Sequence, residues 1–145
     1  MQKTDDTPGQ QTLPAIDSPN NRPRVLVVDD DVSLSRLVRA ILHTADYEVE
    51  QAYNGIEGLE AADRAHPDVI VLDLQMPQMD GRGFFRELRA RGDHTPVLVS
   101  SSYGARSAQK ELGAEGSIEK PFDPEVLVAA VTRLFQESRP DSQST

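Results

Sequence analysis

The side chains of this sequence that could do chemistry follow short apolar segments. Each segment ends in a carboxylate, a hydroxyl or an amine, and the residues concerned are Asp29, Asp30, Asp73, Ser101 and Lys120. If the segments are parallel strands, their carboxyl ends lie at one edge of a sheet, where ligands bind. Three carboxylates that close together repel one another unless one is protonated or a cation shares the site. The pattern therefore predicts a cation site, and Mg²⁺ suits it because Mg²⁺ takes carboxylate, carbonyl and water oxygens.

Each of these residues also has a simpler explanation. Paired aspartates after a strand more often cap the next helix than bind a metal. A serine at a strand end usually hydrogen-bonds the backbone, and a single lysine is usually solvated. Lys120 is nevertheless unusual, because the chain has only three lysines against twelve arginines. We favour a shared site, because four strand ends carry such groups and the simpler explanations would require coincidence.

Strands and helices that could position these groups alternate along the chain. Apolar runs typical of buried strands lie at 25–28, 68–72 and 97–99, an outer strand is predicted at 47–52, and a brief one at 117–119. Segments with helical spacing follow them, around 34–45, 54–66, 84–88, 106–112 and 124–136. We expect Gly113 to end the fourth helix and Asp123 to cap the last. The alternation predicts an α/β fold with a doubly wound, five-stranded parallel sheet covered by helices on both faces.

Composition limits the class of protein. The 145 residues suit one domain, and the lack of cysteine excludes disulfides and thiolate metal sites. The net charge of -9 opposes nucleic-acid phosphates and anionic lipids, so we expect neither nucleic acid nor a membrane as a partner. The longest apolar run is far shorter than the ~20 residues of a membrane span. No apolar signal segment follows the N-terminus, which makes the cytoplasm the expected location.

The two ends of the chain differ from its middle. Residues 1–22 are rich in Gln, Asp, Pro and Asn and contain few apolar side chains. Such a segment cannot bury enough surface to offset the entropy of ordering. We therefore predict a disordered lead over residues 1–22, a folded domain over residues 23–136 and a disordered tail over residues 137–145.

Four motifs resemble the receiver domains of two-component response regulators. They are VLVVDDD at 25–31, VIVLDLQMPQMDG at 69–81, PVLVSS at 96–101 and KPF at 120–122. The resemblance covers residues 24 to about 135. It implies a flavodoxin-like sheet of order 2-1-3-4-5, and an aspartate after the third strand that accepts a phosphoryl group from a phosphohistidine. Asp73 matches that acceptor.

The resemblance also implies roles around Asp73. Asp30 and Asp73, with the backbone carbonyl of Gln75, match the Mg²⁺ ligands, and Asp29 matches the acid that holds metal-bound water. The remaining matches are Ser101, as the hydroxyl that bonds the phosphoryl oxygens, and Lys120, as the conserved-type lysine before a cis proline. A carboxylate can attack phosphorus when a metal and a cation meet the charge on the equatorial oxygens, so the residue chemistry agrees independently.

The sequence departs from the family pattern in the signalling region. Ser117 stands where the family usually has Tyr or Phe, Ser102 replaces a common Ala or Gly, and the interval from Ser101 to Lys120 is a few residues short. We therefore expect a curtailed fourth helix and an altered signalling face. Tyr103 is expected either to lean over the phosphorylation site and exclude water or to be an ordinary half-buried loop aromatic.

The resemblance implies a phosphorelay switch and not an enzyme beyond its own phosphorylation and dephosphorylation. The expected partners are a histidine kinase or histidine phosphotransfer protein and an unidentified downstream protein, with the chain a monomer or weak dimer. Only about ten residues follow Phe135, so we expect no output domain in this chain.

Three other functions compete with this switch. A degenerate receiver would act as a constitutive, non-phosphorylated interaction module, which the intact acidic pocket argues against. A phosphatase or mutase of the haloacid-dehalogenase type needs a second acid two residues after the nucleophile, where this chain has Gln75. A P-loop nucleotide enzyme needs a GxxxxGK motif, which this sequence lacks.

Overall fold

The computed structural model describes residues 22–76 and 78–139. Five strands alternate with five helices, in the order β1 (Arg24–Val28), α1 (Val32–Thr44), β2 (Glu48–Ala52), α2 (Gly55–Ala65), β3 (Val69–Asp73), α3 (Gly81–Ala90), β4 (Val97–Ser101), α4 (Ala105–Leu112), β5 (Gly116–Glu119) and α5 (Pro124–Ser138). Most of the predicted lead, residues 1–21, and residues 140–145 of the predicted tail lie outside the described residues. The last helix continues two residues beyond the predicted end at 136, so the start of the predicted tail is helical.

All five strands are parallel and form one sheet in the order β2-β1-β3-β4-β5. The predicted fold class and strand order are therefore confirmed. The register places Val28 opposite Leu72 and Asp73 opposite Ser100, so these strands end together. Because parallel strands share their direction, the residues that follow them converge at one edge.

The central strands are buried because they are apolar on both faces. One face of the sheet packs with α2, α3 and α4 in a cluster that includes Leu59, Phe84 and Ala108. The other face packs with α1 and α5 in a cluster that includes Leu42 and Leu127. Helices thus cover both faces, as predicted for a doubly wound sheet. Within the described ranges, no helix is long and apolar enough to cross a membrane.

The ends of three helices show which of the nearby residues have a capping role. The side chain of Asp31 is the N-cap of α1 and accepts a hydrogen bond from the backbone N–H of Leu34 at 3.0 Å. Gly113 ends α4 in the left-handed conformation, as predicted. Asp123 stands at the predicted N-cap position of α5, but its side chain makes no capping hydrogen bond. Since Asp31 caps α1, Asp29 is not required for that role.

The start of α3 lies directly against the end of β3. A Cβ atom on Gly81 would lie 2.5 Å from the backbone oxygen of Asp73 and 2.6 Å from Cα of Leu74. Both atoms belong to the backbone, so neither can move aside as a flexible side chain could. Only glycine therefore allows α3 to approach Asp73 this closely.

We expect Gly81→Ala to lower the free energy of unfolding by about 1–3 kcal/mol, because the methyl group overpacks a backbone contact. Gly83→Ala in the same turn is the matched control. Its nearest contacts would be at 3.4 Å, and alanine favours helix by up to about 1 kcal/mol over glycine. Urea unfolding of the two variants checks the prediction, which is wrong if Gly81→Ala is as stable as the wild-type protein.

Candidate functional site

Three aspartates meet at the carboxyl edge of the sheet. Asp29 follows β1 and Asp73 is the last residue of β3; both are buried, with 5 % and 3 % of their surface exposed. Asp30 is exposed beside them. One carboxylate oxygen from each residue lies within 4.8 Å of the others. The structure therefore brings together the three acids that the sequence predicts to share a site.

Lys120 joins the two buried acids. Its Nζ atom donates hydrogen bonds to Oδ2 of Asp29 and to Oδ1 of Asp73, both at 3.2 Å. Burial alone would lower the pKa of Lys120, but the two neighbouring carboxylates outweigh burial and hold the pKa above its ordinary value. Lys120 is therefore a charged group of the pocket and not a solvated surface lysine.

The pKa of Asp73 lies above the ordinary value of an aspartate. Burial raises the pKa of Asp73, and the charge of Asp29 raises it further. Lys120 and the backbone N–H of Gln75, which donates to Oδ1 of Asp73 at 3.3 Å, lower the pKa but do not cancel these effects. A hard divalent cation would offset the charges of the three carboxylates, so the donor set fits Mg²⁺.

Gln75 lies in the loop directly after β3, close enough for its backbone N–H to reach Asp73. Its side chain is exposed. The role of its carbonyl as a metal ligand stays a prediction.

Ser101 is the last residue of β4 and is buried, and its hydroxyl hydrogen-bonds the backbone of the following loop. Its Oγ donates to the backbone oxygen of Tyr103 at 2.8 Å and accepts from the N–H of the same residue at 3.1 Å. The Tyr103 residue is 87 % exposed. The expectation of a half-buried Tyr103 is therefore wrong, and the expectation that its ring leans over the phosphorylation site stays a prediction.

The backbone fixes Lys120 next to Ser101. The N–H of Lys120 donates to the oxygen of Ser101 at 2.9 Å, and the Lys120–Pro121 peptide is cis, as the resemblance implies. Ser117 lies half-buried within β5, and α4 is only eight residues long, as the short interval predicts.

The sequence pattern does not single out two further polar residues at this edge. The Oγ of Ser100 is buried without a hydrogen-bond partner in the described part of the chain, and its Cα pairs with that of Asp73. Glu119 accepts a hydrogen bond from the backbone N–H of Ala105 at 3.1 Å. Ser100 could have been noticed in the sequence, because it interrupts the end of an apolar run. The contact of Glu119 depends on the tertiary structure.

Comparison with known proteins agrees with this geometry. A family model for the response regulator receiver domain matches residues 25–132. The chain belongs to this family. The receiver domain is 40% identical over 121 residues to "Response regulator MprA" of Mycobacterium leprae (strain TN), a match that covers 81% of this chain and 53% of that protein. A second relative of the same name, from Mycobacterium avium (strain 104), is 37% identical over 124 residues and covers 83% of this chain and 54% of that protein.

Two solved structures with a similar fold are a receiver domain and a chemotaxis protein. The Vibrio cholerae chemotaxis protein CheY4 matches with a TM-score of 0.72 and 36% identity, covering 78% of this chain and 98% of that one. The receiver domain of the Francisella response regulator 1452 matches with a TM-score of 0.76 and 28% identity, covering 81% of this chain and 100% of that one. This receiver domain therefore belongs to a class of phosphorylation-dependent switches that bind Mg²⁺ at an acidic pocket. The chain spans about half the length of the curated relatives that it matches.

The raised pKa of Asp73 has a consequence for stability. Between 3.8, the ordinary pKa of an aspartate, and the raised pKa, folded Asp73 holds a proton that the unfolded chain has released. The contribution of Asp73 to the free energy of unfolding therefore falls as the pH rises through this window. Above the window, the buried charge is fully unfavourable.

We expect Asp73→Asn to be more stable than the wild-type protein at neutral pH without metal. The amide removes this buried charge, while Lys120 still pairs with Asp29. The advantage should shrink as the pH falls towards 3.8. Urea unfolding over a pH series with a chelator present measures it, and Asp123→Asn, at an exposed position, is the control. Equal or lower stability of Asp73→Asn at neutral pH would contradict the prediction.

Proposed function

We propose that this receiver domain is a Mg²⁺-dependent switch in which Asp73 accepts a phosphoryl group from the phosphohistidine of a histidine kinase or histidine phosphotransfer protein. The observation that carries the proposal is the buried ion pair of Lys120 with two carboxylates, since its Nζ lies 3.2 Å from Asp73 and 3.2 Å from Asp29. A structural ion pair would not need a third carboxylate beside it, and Asp30 is that third group.

The reaction needs little from the protein besides position and charge. An oxygen of Asp73 attacks phosphorus, the new carboxylate–phosphorus bond forms, and the bond from phosphorus to the histidine nitrogen breaks. The leaving imidazole keeps the bonding electron pair and takes a proton. Lys120 meets the charge on the transferred group, and the hydroxyl of Ser101 donates to one of its oxygens after leaving Tyr103.

Asp30, Asp73 and the carbonyl of Gln75 would hold Mg²⁺, with Asp29 binding its water. When bound, the ion neutralises charge on the phosphoryl oxygens. The proposed roles agree with the exposure of the acids, since Asp30 lies at the solvent side of the pocket and the other two are buried.

The product is an acyl phosphate, which water hydrolyses, so the domain is a switch that resets itself and not an enzyme acting on a separate substrate. Its phosphorylated state changes binding to a downstream protein. The histidine-containing donor is supported by the response regulator relatives. The monomer or weak dimer, the cytoplasmic location and the lack of a nucleic-acid or membrane partner stay predictions for this chain.

Phosphorylation can be tested directly. Incubation with Mg²⁺ and acetyl phosphate should add one phosphoryl group to the wild-type protein, measured by intact mass, and Asp73→Asn should add none because it lacks the nucleophile. Asp123→Asn should behave as the wild-type protein. A folded wild-type protein that gains no mass under these conditions would favour the degenerate, constitutive interaction module.

Metal binding gives an independent test. We expect Asp30→Ala to weaken Mg²⁺ binding at least about tenfold, because the site loses both a bond and a negative charge. Asp31→Asn is a matched control, since it removes the neighbouring charge while asparagine can still cap α1. Calorimetric titration with Mg²⁺ measures both variants, and an unchanged affinity in Asp30→Ala would exclude Asp30 as a ligand.

A further inference from the structure

Ser100 carries a buried hydroxyl beside the phosphorylation site that the proposed chemistry does not use. The residue is 2 % exposed, and its Oγ atom has no hydrogen-bond partner among the described residues. A buried hydroxyl without a partner costs free energy. An apolar side chain would avoid this cost in a strand that is otherwise apolar up to this position. The hydroxyl therefore points to a partner in another state of the protein.

The side chains of Ser100 and Asp73 are neighbours on one face of the sheet. Side chains alternate along a strand, and Leu98 and Val71 both pack in the cluster on the α1 and α5 face. Ser100 lies two residues after Leu98 and therefore points to the same face. Asp73 lies two residues after Val71 and does so too. The Cα atoms of Ser100 and Asp73 are paired across adjacent strands.

The side chain of Lys120 crosses this part of β4. Lys120 directly follows β5, whereas its partner Asp73 ends β3, and β4 lies between these two strands in the sheet. Its Nζ atom nevertheless reaches Oδ1 of Asp73 at 3.2 Å, so the side chain passes over the end of β4. Lys120 also lines a cavity with Leu34 of α1 and Pro124 of α5. It therefore lies on the face to which Ser100 points.

The ammonium of Lys120 has a donor to spare. It carries three N–H groups, and its hydrogen-bond partners within the described ranges are Asp29 and Asp73. In the proposed function, Asp73 becomes an acyl phosphate, so its negative charge passes to the phosphoryl oxygens and Lys120 turns towards them. Asp29 is then the remaining carboxylate that holds the ammonium in place.

We propose that Ser100 is a positioning residue whose hydroxyl accepts the third hydrogen bond of Lys120 once Asp73 is phosphorylated. Ser100 lies on the strand that Lys120 crosses, so this bond holds the ammonium over the site after its bond to the Asp73 carboxylate is lost. The hydroxyl has no partner in the unphosphorylated protein and gains one in the phosphorylated protein. This inference rests on the proposed function.

The affinity for beryllium fluoride, a phosphoryl analogue, tests the proposal. In the presence of Mg²⁺, Ser100→Ala should bind the analogue about tenfold less tightly than the wild-type protein, because a hydrogen bond to a charged group is lost. Ser100→Thr keeps the hydroxyl and should bind more tightly than Ser100→Ala. Ser35→Ala, which removes a buried hydroxyl bonded to Gln51 on α1, is the matched control and should bind as the wild-type protein does. Fluorine NMR of the bound analogue measures the affinities.

Stability without metal or analogue separates this role from a structural one. Ser100→Ala removes a hydroxyl that has no partner in this state, so its midpoint of urea unfolding should equal or exceed that of the wild-type protein. Ser35→Ala should lower the midpoint, because it leaves the amide of Gln51 without its acceptor. A lower midpoint for Ser100→Ala would show that the hydroxyl is already bonded without the phosphoryl group, and would overturn the proposal.

The ammonium resonance of Lys120 reports the bond directly. The chain has three lysines, and Lys110 is exposed, so its resonance is an internal reference. Ser100→Ala should shift the Lys120 signal in the complex with beryllium fluoride and leave it unchanged in the free protein. Identical Lys120 signals in the wild-type and Ser100→Ala complexes would contradict the proposed bond.

The wild-type protein separates this inference from the function on which it rests. If the wild-type protein gains mass from acetyl phosphate but Ser100→Ala binds beryllium fluoride equally tightly, the role of Ser100 is wrong and the switch chemistry stands. An equal loss of affinity in Ser100→Thr and Ser100→Ala would assign the effect to packing and also overturn that role. If the wild-type protein neither gains mass nor binds the analogue, the proposed function is wrong and the role of Ser100 is wrong with it.

Discussion

The ammonium of Lys120, shared between Asp29 and Asp73, is the interaction on which the site depends. Two carboxylates buried at neighbouring strand ends would repel each other strongly without a cation between them. Lys120 directly follows the last residue of β5. The two carboxylates can therefore be neutralised only when β1, β3 and β5 all end at the same edge of the sheet. The apolar strands provide this alignment because both of their faces are buried by helices. Sheet order, burial and charge balance are thus parts of one arrangement.

Two polar groups at this edge of the sheet are held at an energetic cost. Burial, with the charge of Asp29, raises the pKa of Asp73 in spite of Lys120, and a buried hydroxyl on Ser100 lacks a partner within the described residues. Leaving such groups unsatisfied costs free energy. Functional sites often carry such costs, because groups arranged for a bound ligand cannot all be satisfied before it binds. The stability cost at this edge is therefore consistent with the proposed chemistry.

The fold and the convergence of the acids could be predicted because they follow from local sequence. Uninterrupted apolar runs require strands buried on both faces, and an aspartate directly after such a run must lie at the sheet edge. The hydroxyl of Ser101, the ring of Tyr103 and the carboxylate of Glu119 could not be placed in this way. Their positions depend on side-chain rotamers and on a short loop, and several rotamers have similar energies in a segment with little packing.

The surroundings of Asp73 are packed more tightly on the α3 side, where Gly81 contacts its backbone, than on the β4 side. On the α3 side, backbone lies against backbone at a distance that leaves no room for even a methyl group. On the β4 side, the neighbouring loop is exposed and contains Gly104, around which there is open space. The backbone that carries Asp73 is therefore closely packed on its α3 side, whereas the loop on the β4 side has open space around it. Any backbone adjustment at this edge is therefore easier on the β4 side than on the α3 side.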